Sequence, residues 1–174
     1  MTNEQIIEKL DQCLHQGSLS SLYRHMGRYG EASSLLQDAL SELQEHCIFS
    51  HEGLALTPKY LFDFSDRTSA VIPLESALWV FRLQDMRYSM RDKRDIMYYS
   101  MRIYTITGDK FVLKNRAKAD LDEIEEVLTD RYPNFFYGYS EEHDRMVHYI
   151  LEENAKELEA LKRRKKKPSD ASDE

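Results

Sequence analysis

The sequence predicts an α+β protein: N-terminal helices, then an antiparallel β-sandwich or open barrel of about six strands, capped by C-terminal helices. Apolar residues recur at helical spacing over about the first 45 residues. An aromatic block from about Phe49 to Leu113 then alternates apolar and polar side chains between well-marked turns. Helical spacing returns after this block. Because the strands are short and follow one another at hairpin spacing, they favour antiparallel pairing over βαβ units.

The first 45 residues are predicted to form a helical region of three helices. The first covers residues 3–15 and ends before Gly17, where glycine favours a helix stop. A second, short helix begins at Ser18, and a third covers about residues 31–45, with Gly27 and Gly30 between them. Each helix has one apolar stripe, which has to pack on another helix, on the β-domain or on a second chain.

Residues 46–139 are predicted to form the β-domain with its capping helix. The expected strands cover residues 47–49, 60–64, 70–72, 78–83, 95–107 and 111–113. Within the second of these, alternation places Tyr60, Phe62 and Phe64 on one face and Leu61 and Asp63 on the other.

Two features of this block give specific expectations. Trp79 lies mid-strand among apolar neighbours, which predicts that its side chain is buried. Gly108-Asp109 predicts a two-residue type II′ hairpin turn.

The C-terminal part is predicted to be helical. A helix over residues 118–131 ends before Pro133, and a C-terminal helix covers residues 140–165 with Ser140 as its N-cap. Residues 166–174 are predicted to be a disordered tail.

Composition and charge exclude several classes of function. The formal net charge is −7, and residues 1–50 contain three basic and seven acidic side chains. Since no predicted domain is basic overall, nucleic-acid binding by the body of the protein is disfavoured. The longest apolar runs are about five residues, against the roughly 20 that a transmembrane helix needs. The N-terminus has no features of a secretory signal, so we expect a cytoplasmic protein with no transmembrane segment.

The sequence indicates no cofactor, no metal site and no catalytic residues. Its N-terminal half has six potential metal ligands, but their spacing does not provide convergent pairs: Cys13, His15, His25, His46, Cys47 and His51. His143 and His148 accompany several carboxylates, but residues five apart on a helix diverge. No phosphate-binding glycine loop or nucleophile elbow occurs. We therefore do not expect an enzyme.

Two sets of residues are candidates for binding. Met86, Tyr88 and Met90 alternate with charged residues near Arg91, as in adaptable binding surfaces, although an exposed loop without a partner has the same pattern. A basic run could contact an anionic membrane or nucleic acid, or could simply be a solvated helix end: Lys162, Arg163, Arg164, Lys165, Lys166 and Lys167.

A third set is the aromatic residues of the β-domain. Trp79, Phe81, Tyr98, Tyr99 and Tyr104 could stack nucleic-acid bases beside Arg82 and Arg102. The alternative is an ordinary β-core with tyrosine hydroxyls at its rim.

Four stretches carry a resemblance to a known group of proteins. They are YLFDF at residues 60–64, VIPLESALWVF at residues 71–81, and YPNFFYGYSEE at residues 132–142, together with GDKFVL at residues 108–113. In these stretches the chain resembles small proteins of Gram-positive gut bacteria that carry a pleckstrin-homology-like (PH-like) β-domain of unknown function. The resemblance covers about residues 46–145. It implies a PH-like fold and a scaffold or binding role, and it supplies no catalytic residues.

These observations lead to one principal hypothesis about function. We expect a cytoplasmic, non-catalytic protein-interaction or scaffold module that binds a protein or peptide partner, and that could form a homodimer through its helices. The alternative is a peripheral protein that binds an anionic surface through the basic run at residues 162–167.

Overall fold

The structure, a computed structural model, describes residues 1–166. It divides into two compact units, residues 1–138 and a unit that begins at Tyr139. The first unit contains four α-helices and two β-sheets, and the described part of the second contains one long helix. The architecture of the described residues is therefore α+β, with helices before and after the sheets, as predicted.

Three helices form the N-terminal region of the first unit: α1 (Asn3–Gln16), α2 (Ser20–Met26) and α3 (Ala32–Glu45). A capping box begins α1, because Gln5 N donates to Thr2 Oγ1 and Thr2 N donates to Gln5 Oε1 at 2.8 Å. Gly17 ends α1 in the left-handed region at φ 68°. The predicted helices are confirmed, with boundaries that shift by one or two residues.

The first sheet has the strand order β1-β2-β3-β4, and every neighbouring pair is antiparallel. Its strands are β1 (Phe49–His51), β2 (Leu54–Leu56), β3 (Tyr60–Phe64) and β4 (Ser69–Pro73). A short 3₁₀ helix, Leu74–Ser76, leads from β4 to the second sheet.

The second sheet has the order β7-β6-β5-β8. Its strands are β5 (Ala77–Ser89), β6 (Arg94–Thr105), β7 (Lys110–Arg116) and β8 (Phe136–Tyr137). The pairs β5–β6 and β6–β7 are antiparallel, whereas β8 pairs with β5 in parallel. Helix α4 (Lys118–Arg131) lies between β7 and β8 in the chain.

Residues 1–166 therefore contain eight strands in two four-stranded sheets, and the expected count of about six was too low. The two additional strands are β2, whose three residues are all buried and so show no alternation, and β8, which has only two residues. A two-residue turn joins β1 to β2, with Glu52 and Gly53 both at positive φ, as in a type I′ turn. Gly53 also has no room for a side chain, because a Cβ there would lie 2.0 Å from Phe64 O.

The first sheet is buried on both faces. Tyr60, Phe62 and Phe64 of β3 pack with α1, α2 and α3 in one hydrophobic core. Leu61 of β3 and Ile72 of β4 belong to a second core, which also contains residues of β5, β6, β7 and α4. The predicted faces of β3 are thus confirmed, and the first sheet lies between the two cores.

Asp63 is the one charged residue of β3, and it is buried on the second face with 4% of its surface exposed. Arg116 of β7 donates from Nη2 to its carboxylate and from Nη1 to Glu52 O at 2.6 Å. Burial raises the pKa of Asp63, and the guanidinium of Arg116 offsets part of that increase. This ion pair joins the first sheet to the second.

The predicted two-residue turn at Gly108-Asp109 is wrong. Thr105 N donates to Asp109 O at 3.0 Å, and Gly108 N donates to Thr105 O at 3.0 Å, which closes a three-residue loop. Gly108 has φ 86°, the left-handed conformation that follows the turn in such loops. The side chain of Asp109 is used elsewhere, in the cluster described below.

Strand β5 continues six residues beyond its predicted end and makes a long hairpin with β6. Register pairs run from Trp79↔Tyr104 to Ser89↔Arg94, whereas β8 reaches only Val80 and β7 reaches only Tyr99. Within the described sheet, residues 84–98 therefore form a two-stranded ribbon, which we call the arm.

In the described part of the second unit, the long helix is α5 (Glu141–Lys166). Ser140 caps it as predicted, since Ser140 Oγ accepts a hydrogen bond from His143 N at 3.0 Å. The predicted helix end at residue 165 differs by one residue. Most of the predicted tail, residues 167–174, lies outside the described residues.

Trp79 is buried as predicted, with 1% of its surface exposed. Its Nε1 donates to Gly138 O at 2.8 Å, and its ring lies 4.4 Å from that of Phe81 and 5.2 Å from that of Tyr104, centroid to centroid.

Replacing Trp79 with Ala is expected to lower the free energy of unfolding by about 3–5 kcal/mol, because removal of the buried ring leaves a cavity and the hydrogen bond from its Nε1 is lost. Urea unfolding followed by circular dichroism measures this. Trp79→Phe, which keeps most of the apolar contact, should cost clearly less. Equal unfolding curves for Trp79→Ala and the parent would contradict the burial of this residue.

Candidate functional site

The arm is the clearest exposed apolar feature of the described chain. Met86, Tyr88 and Met90 are 62%, 60% and 81% exposed, and Met97 is 39% exposed. Met86 pairs directly with Met97 in the register, so their side chains lie on the same face of the ribbon. Arg91 lies exposed in the turn that follows. The structure thus brings together the four residues predicted as an interaction surface.

The arm has a defined conformation although it pairs with no further strand. At its tip, Asp92 N donates to Ser89 Oγ at 3.2 Å, and Ser89 Oγ donates to Asp92 Oδ2 at 3.0 Å. Along one side, Arg87 Nε donates to Asp85 at 2.6 Å, and its guanidinium lies 5.1 Å from the centroid of the Tyr98 ring. These local contacts hold the backbone that presents the methionines.

The arm also differs in charge from the chain as a whole. Residues 84–98 contain four basic and three acidic side chains, whereas the chain has a net charge of −7, and the tip of the arm, residues 86–94, contains four basic side chains and one acidic side chain. The tip of the arm therefore presents large, flexible apolar groups among mainly basic side chains.

The predicted basic run lies at the end of α5 as far as the structure describes it. Its side chains from Lys162 to Lys166 are exposed, and Arg163 is 3.6 Å from Glu159 one turn earlier. Lys167 lies outside the described residues.

The six potential metal ligands do not converge. Cys13 is buried in α1, and Cys47 is exposed before β1. Burial raises the pKa of both thiols. Within residues 1–166, no three His, Cys, Asp or Glu side chains are arranged to hold a metal ion.

One of these residues, His51, has a structural partner instead. Its Nδ1 lies 2.8 Å from an oxygen of Asp120 at the start of α4. The hydrogen bond and the charge of Asp120 raise the pKa of His51. In α5, His148 Nδ1 lies 3.2 Å from Asp144, which is an exposed pair one helical turn apart.

A polar cluster around the buried Asp109 joins the turn after α2 to the loop between β6 and β7. Asp109, 8% exposed, accepts hydrogen bonds from Tyr29 Oη at 2.6 Å, from Thr107 Oγ1 at 2.7 Å and from Arg28 Nη1. Thr105 Oγ1 lies 3.0 Å from Tyr29 Oη. We call these five residues the Asp109 cluster. Sequence reasoning missed it because its members lie about 80 residues apart.

The chemistry of the Asp109 cluster is that of a structural clamp. Burial, followed by the hydrogen bond to Asp109, raises the pKa of Tyr29 to about 12. The phenol is therefore a hydrogen-bond donor at neutral pH and not a base. Both oxygens of the Asp109 carboxylate accept hydrogen bonds from the three donors named above.

Beside this cluster lies a cleft of about 470 Å³, between α3, the 3₁₀ helix and the end of α4. Tyr60 Oη donates to Asp38 at 2.8 Å, and Lys59 Nζ lies 3.4 Å from the same carboxylate. Tyr132 Oη donates to Pro58 O at 2.7 Å. Burial raises the pKa of both Tyr60 and Tyr132, so these hydroxyls also act as donors to the protein itself.

The aromatic residues of the second sheet are not arranged as a platform for bases. Trp79 and Phe81 are 1% and 3% exposed, so neither ring face is accessible. Tyr98 is occupied by the guanidinium of Arg87.

Comparisons with known proteins add no family or function. No family model matches the chain, and neither a curated protein nor a solved structure is significantly similar to it. Among the described helices, none is long and apolar enough to cross a bilayer.

The structural role of the Asp109 cluster can be tested by Asp109→Ala. This change leaves the donors of Tyr29, Thr107 and Arg28 without their acceptor, and we expect a loss of about 2–3 kcal/mol in the free energy of unfolding. Tyr29→Phe, which removes one donor and keeps the carboxylate, should cost about 1 kcal/mol. Chemical denaturation measures both. An unchanged stability of the Asp109→Ala protein would show that the cluster is not a clamp.

Proposed function

We propose that this protein is a non-catalytic interaction module that binds a protein partner through the arm. The observation that carries the proposal is the exposure of Met86, Tyr88 and Met90 on an ordered two-stranded ribbon. Clustered, exposed large apolar side chains are disfavoured on a free surface and mark interaction sites. Flexible methionines beside an aromatic ring suit a surface that adapts to its partner.

The charges of the arm identify the kind of partner. A ribbon tip with four basic side chains and one acidic side chain fits a protein surface that has an apolar pocket with acidic groups around it. A symmetric arm-to-arm homodimer is disfavoured, because the same surface on both subunits would bring like charges together. The proposed occupant is therefore a different protein, with an acidic rim around its binding site.

A PH-like fold is part of the proposal. The resemblance depends on the order of the elements along the chain. A first sheet of four antiparallel strands is followed by a second sheet that begins with three antiparallel strands, and a helix follows these. That order supports the PH-like interpretation, and with it a scaffold or binding role in the cytoplasm.

The basic helix end supports a second candidate function. Lys162 to Lys166 are consecutive and exposed, and each basic residue near an anionic membrane contributes about 1 kcal/mol. Attachment to an anionic surface would then locate the protein at that surface, and the arm would bind the partner there. Salt-dependent retention on vesicles of anionic lipid distinguishes this candidate from the first.

A triple variant tests the arm: Met86→Ser, Tyr88→Ser and Met90→Ser. The matched control is Ile48→Ser with Ile106→Ser, which removes two exposed apolar side chains outside the arm. Since all five positions are exposed, both variants should fold with nearly the stability of the parent. Proteins captured by the immobilised parent from the native host are identified, purified and measured individually by calorimetry.

A partner that binds through the arm should lose about 2 kcal/mol or more of binding free energy, roughly thirtyfold in affinity, with the triple variant. It should bind the control as it binds the parent. A purified partner that binds the triple variant and the parent equally would refute the proposal. A dimer of the parent that the triple variant abolishes would replace the heterologous partner with a second copy.

A further inference from the structure

A groove of about 380 Å³ lies at the root of the arm, on the face opposite Met86 and Tyr88. Strands β5, β6 and β7 line it, and the side chains that matter are polar: Asp85, Arg87, Tyr98, Ser100, Arg102 and Lys114. Register explains their grouping, because Asp85 pairs with Tyr98 and Arg102 pairs with Val112, two residues before Lys114. Residues two apart on a strand share a face.

The basic side chains of the groove outnumber the carboxylates that form ion pairs with them. The charge of Arg87 is balanced by Asp85, whose Oδ2 accepts from Arg87 Nε at 2.6 Å. Arg102 and Lys114 form no ion pair within residues 1–166, in a chain with more carboxylates than basic groups. Two positive charges in the groove are therefore uncompensated.

Arg102 is the more informative of these two residues. It is half-buried, and its Nε is shielded from solvent without an acceptor among the described residues. The Phe81 ring, 6.0 Å from its guanidinium carbon, is its one charge-related contact there. A guanidinium cannot lose its proton to relieve this cost, as a buried carboxylate can gain one. A half-buried arginine without a carboxylate is typical of a site that receives an anion.

We propose that this groove binds a phosphate monoester dianion, carried by a phosphorylated side chain of the protein partner. Two uncompensated charges match a dianion better than a single carboxylate. Arg102 provides planar paired donors, Lys114 a point charge, and Ser100 and Tyr98 hydroxyl donors. The volume exceeds that of a phosphate group, which leaves room for the side chain that carries it. That a protein partner carries the phosphate rests on the proposed function, whereas the anion-binding groove itself does not depend on it.

The test is a titration of isotopically labelled full-length protein, at constant ionic strength, with O-phosphoserine amide and with serine amide. Only the phosphorylated probe should shift amide signals, and the shifts should centre on Ser100, Arg102 and Lys114. Arg102→Gln and Lys114→Gln should each weaken binding about tenfold or more. Lys110→Gln, on the same strand but outside the groove, should leave binding unchanged.

Separate titrations with inorganic phosphate, inorganic sulfate and a single-stranded oligonucleotide identify the source of the anion. Weaker binding of both inorganic anions supports the proposal. Equal binding of sulfate and phosphoserine would reduce the groove to a nonspecific anion site, and tighter binding of the oligonucleotide through the same residues would replace the phosphoprotein with nucleic acid. No shift with phosphoserine would overturn the proposal.

Two further measurements keep this result separate from the test of the arm. The Met86/Tyr88/Met90 triple variant should bind phosphoserine like the parent, so failure of partner capture and failure of the groove are distinguishable. Arg102→Leu should raise the melting temperature, because it removes an unpaired, half-buried charge. A lower melting temperature would show that Arg102 stabilises the fold, which would contradict its proposed role in anion binding.

Discussion

The burial of the first sheet on both faces is the constraint on which the first unit depends. All five residues of β3 are buried, with Phe62 in the core formed by the N-terminal helices and Leu61 in the core formed by the second sheet and α4. Neither core is complete without this sheet. Asp63 occupies a position that water cannot reach, so its carboxylate requires the guanidinium of Arg116 from β7. The pair sets the position of β7, and through the β6–β7 register it fixes the root of the arm.

Local sequence patterns predict most of the helices and strands, but they predict few of the contacts between them. The alternation of residues 60–64 and the apolar surroundings of Trp79 predicted burial, because a strand's faces follow from period two alone. The buried strand β2 carries no alternation and so has no sequence signal, and the two-residue β8 is recognised as a strand only through its pairing with β5. The loop at Gly108 was assigned wrongly because its length depends on Asp109, which accepts a hydrogen bond from Tyr29, 80 residues earlier in the turn after α2. The methionines of the arm were found because they alternate, whereas Arg102 and Lys114 meet only through strand register.

In the two proposals, the arm and the groove act together to recognise one partner. The arm presents apolar side chains on one face of the β5–β6 ribbon, and the groove presents uncompensated positive charge on the other. Apolar contact would supply affinity, and the anion would add selectivity and a route to regulation through phosphorylation. The buried Tyr60 and the half-buried Tyr29 and Tyr132 have raised pKa values, and their hydroxyls form hydrogen bonds within the protein, so the cleft that they line acts as part of the scaffold. In the proposed function, the two-core body holds the arm that contacts the partner.

Residue-resolved amide hydrogen exchange of the unmodified chain tests this account most directly, because it compares the body with the arm in one molecule. We expect the amides of β3 to exchange only when the whole first unit unfolds, with a free energy equal to that of global unfolding. The arm amides that are hydrogen-bonded between β5 and β6 in residues 84–98 should exchange through local opening, at a much lower free energy, since these strands pair there with no other strand. Arm amides as strongly protected as those of β3 would contradict the account, because the arm would then already be covered and not available to a partner.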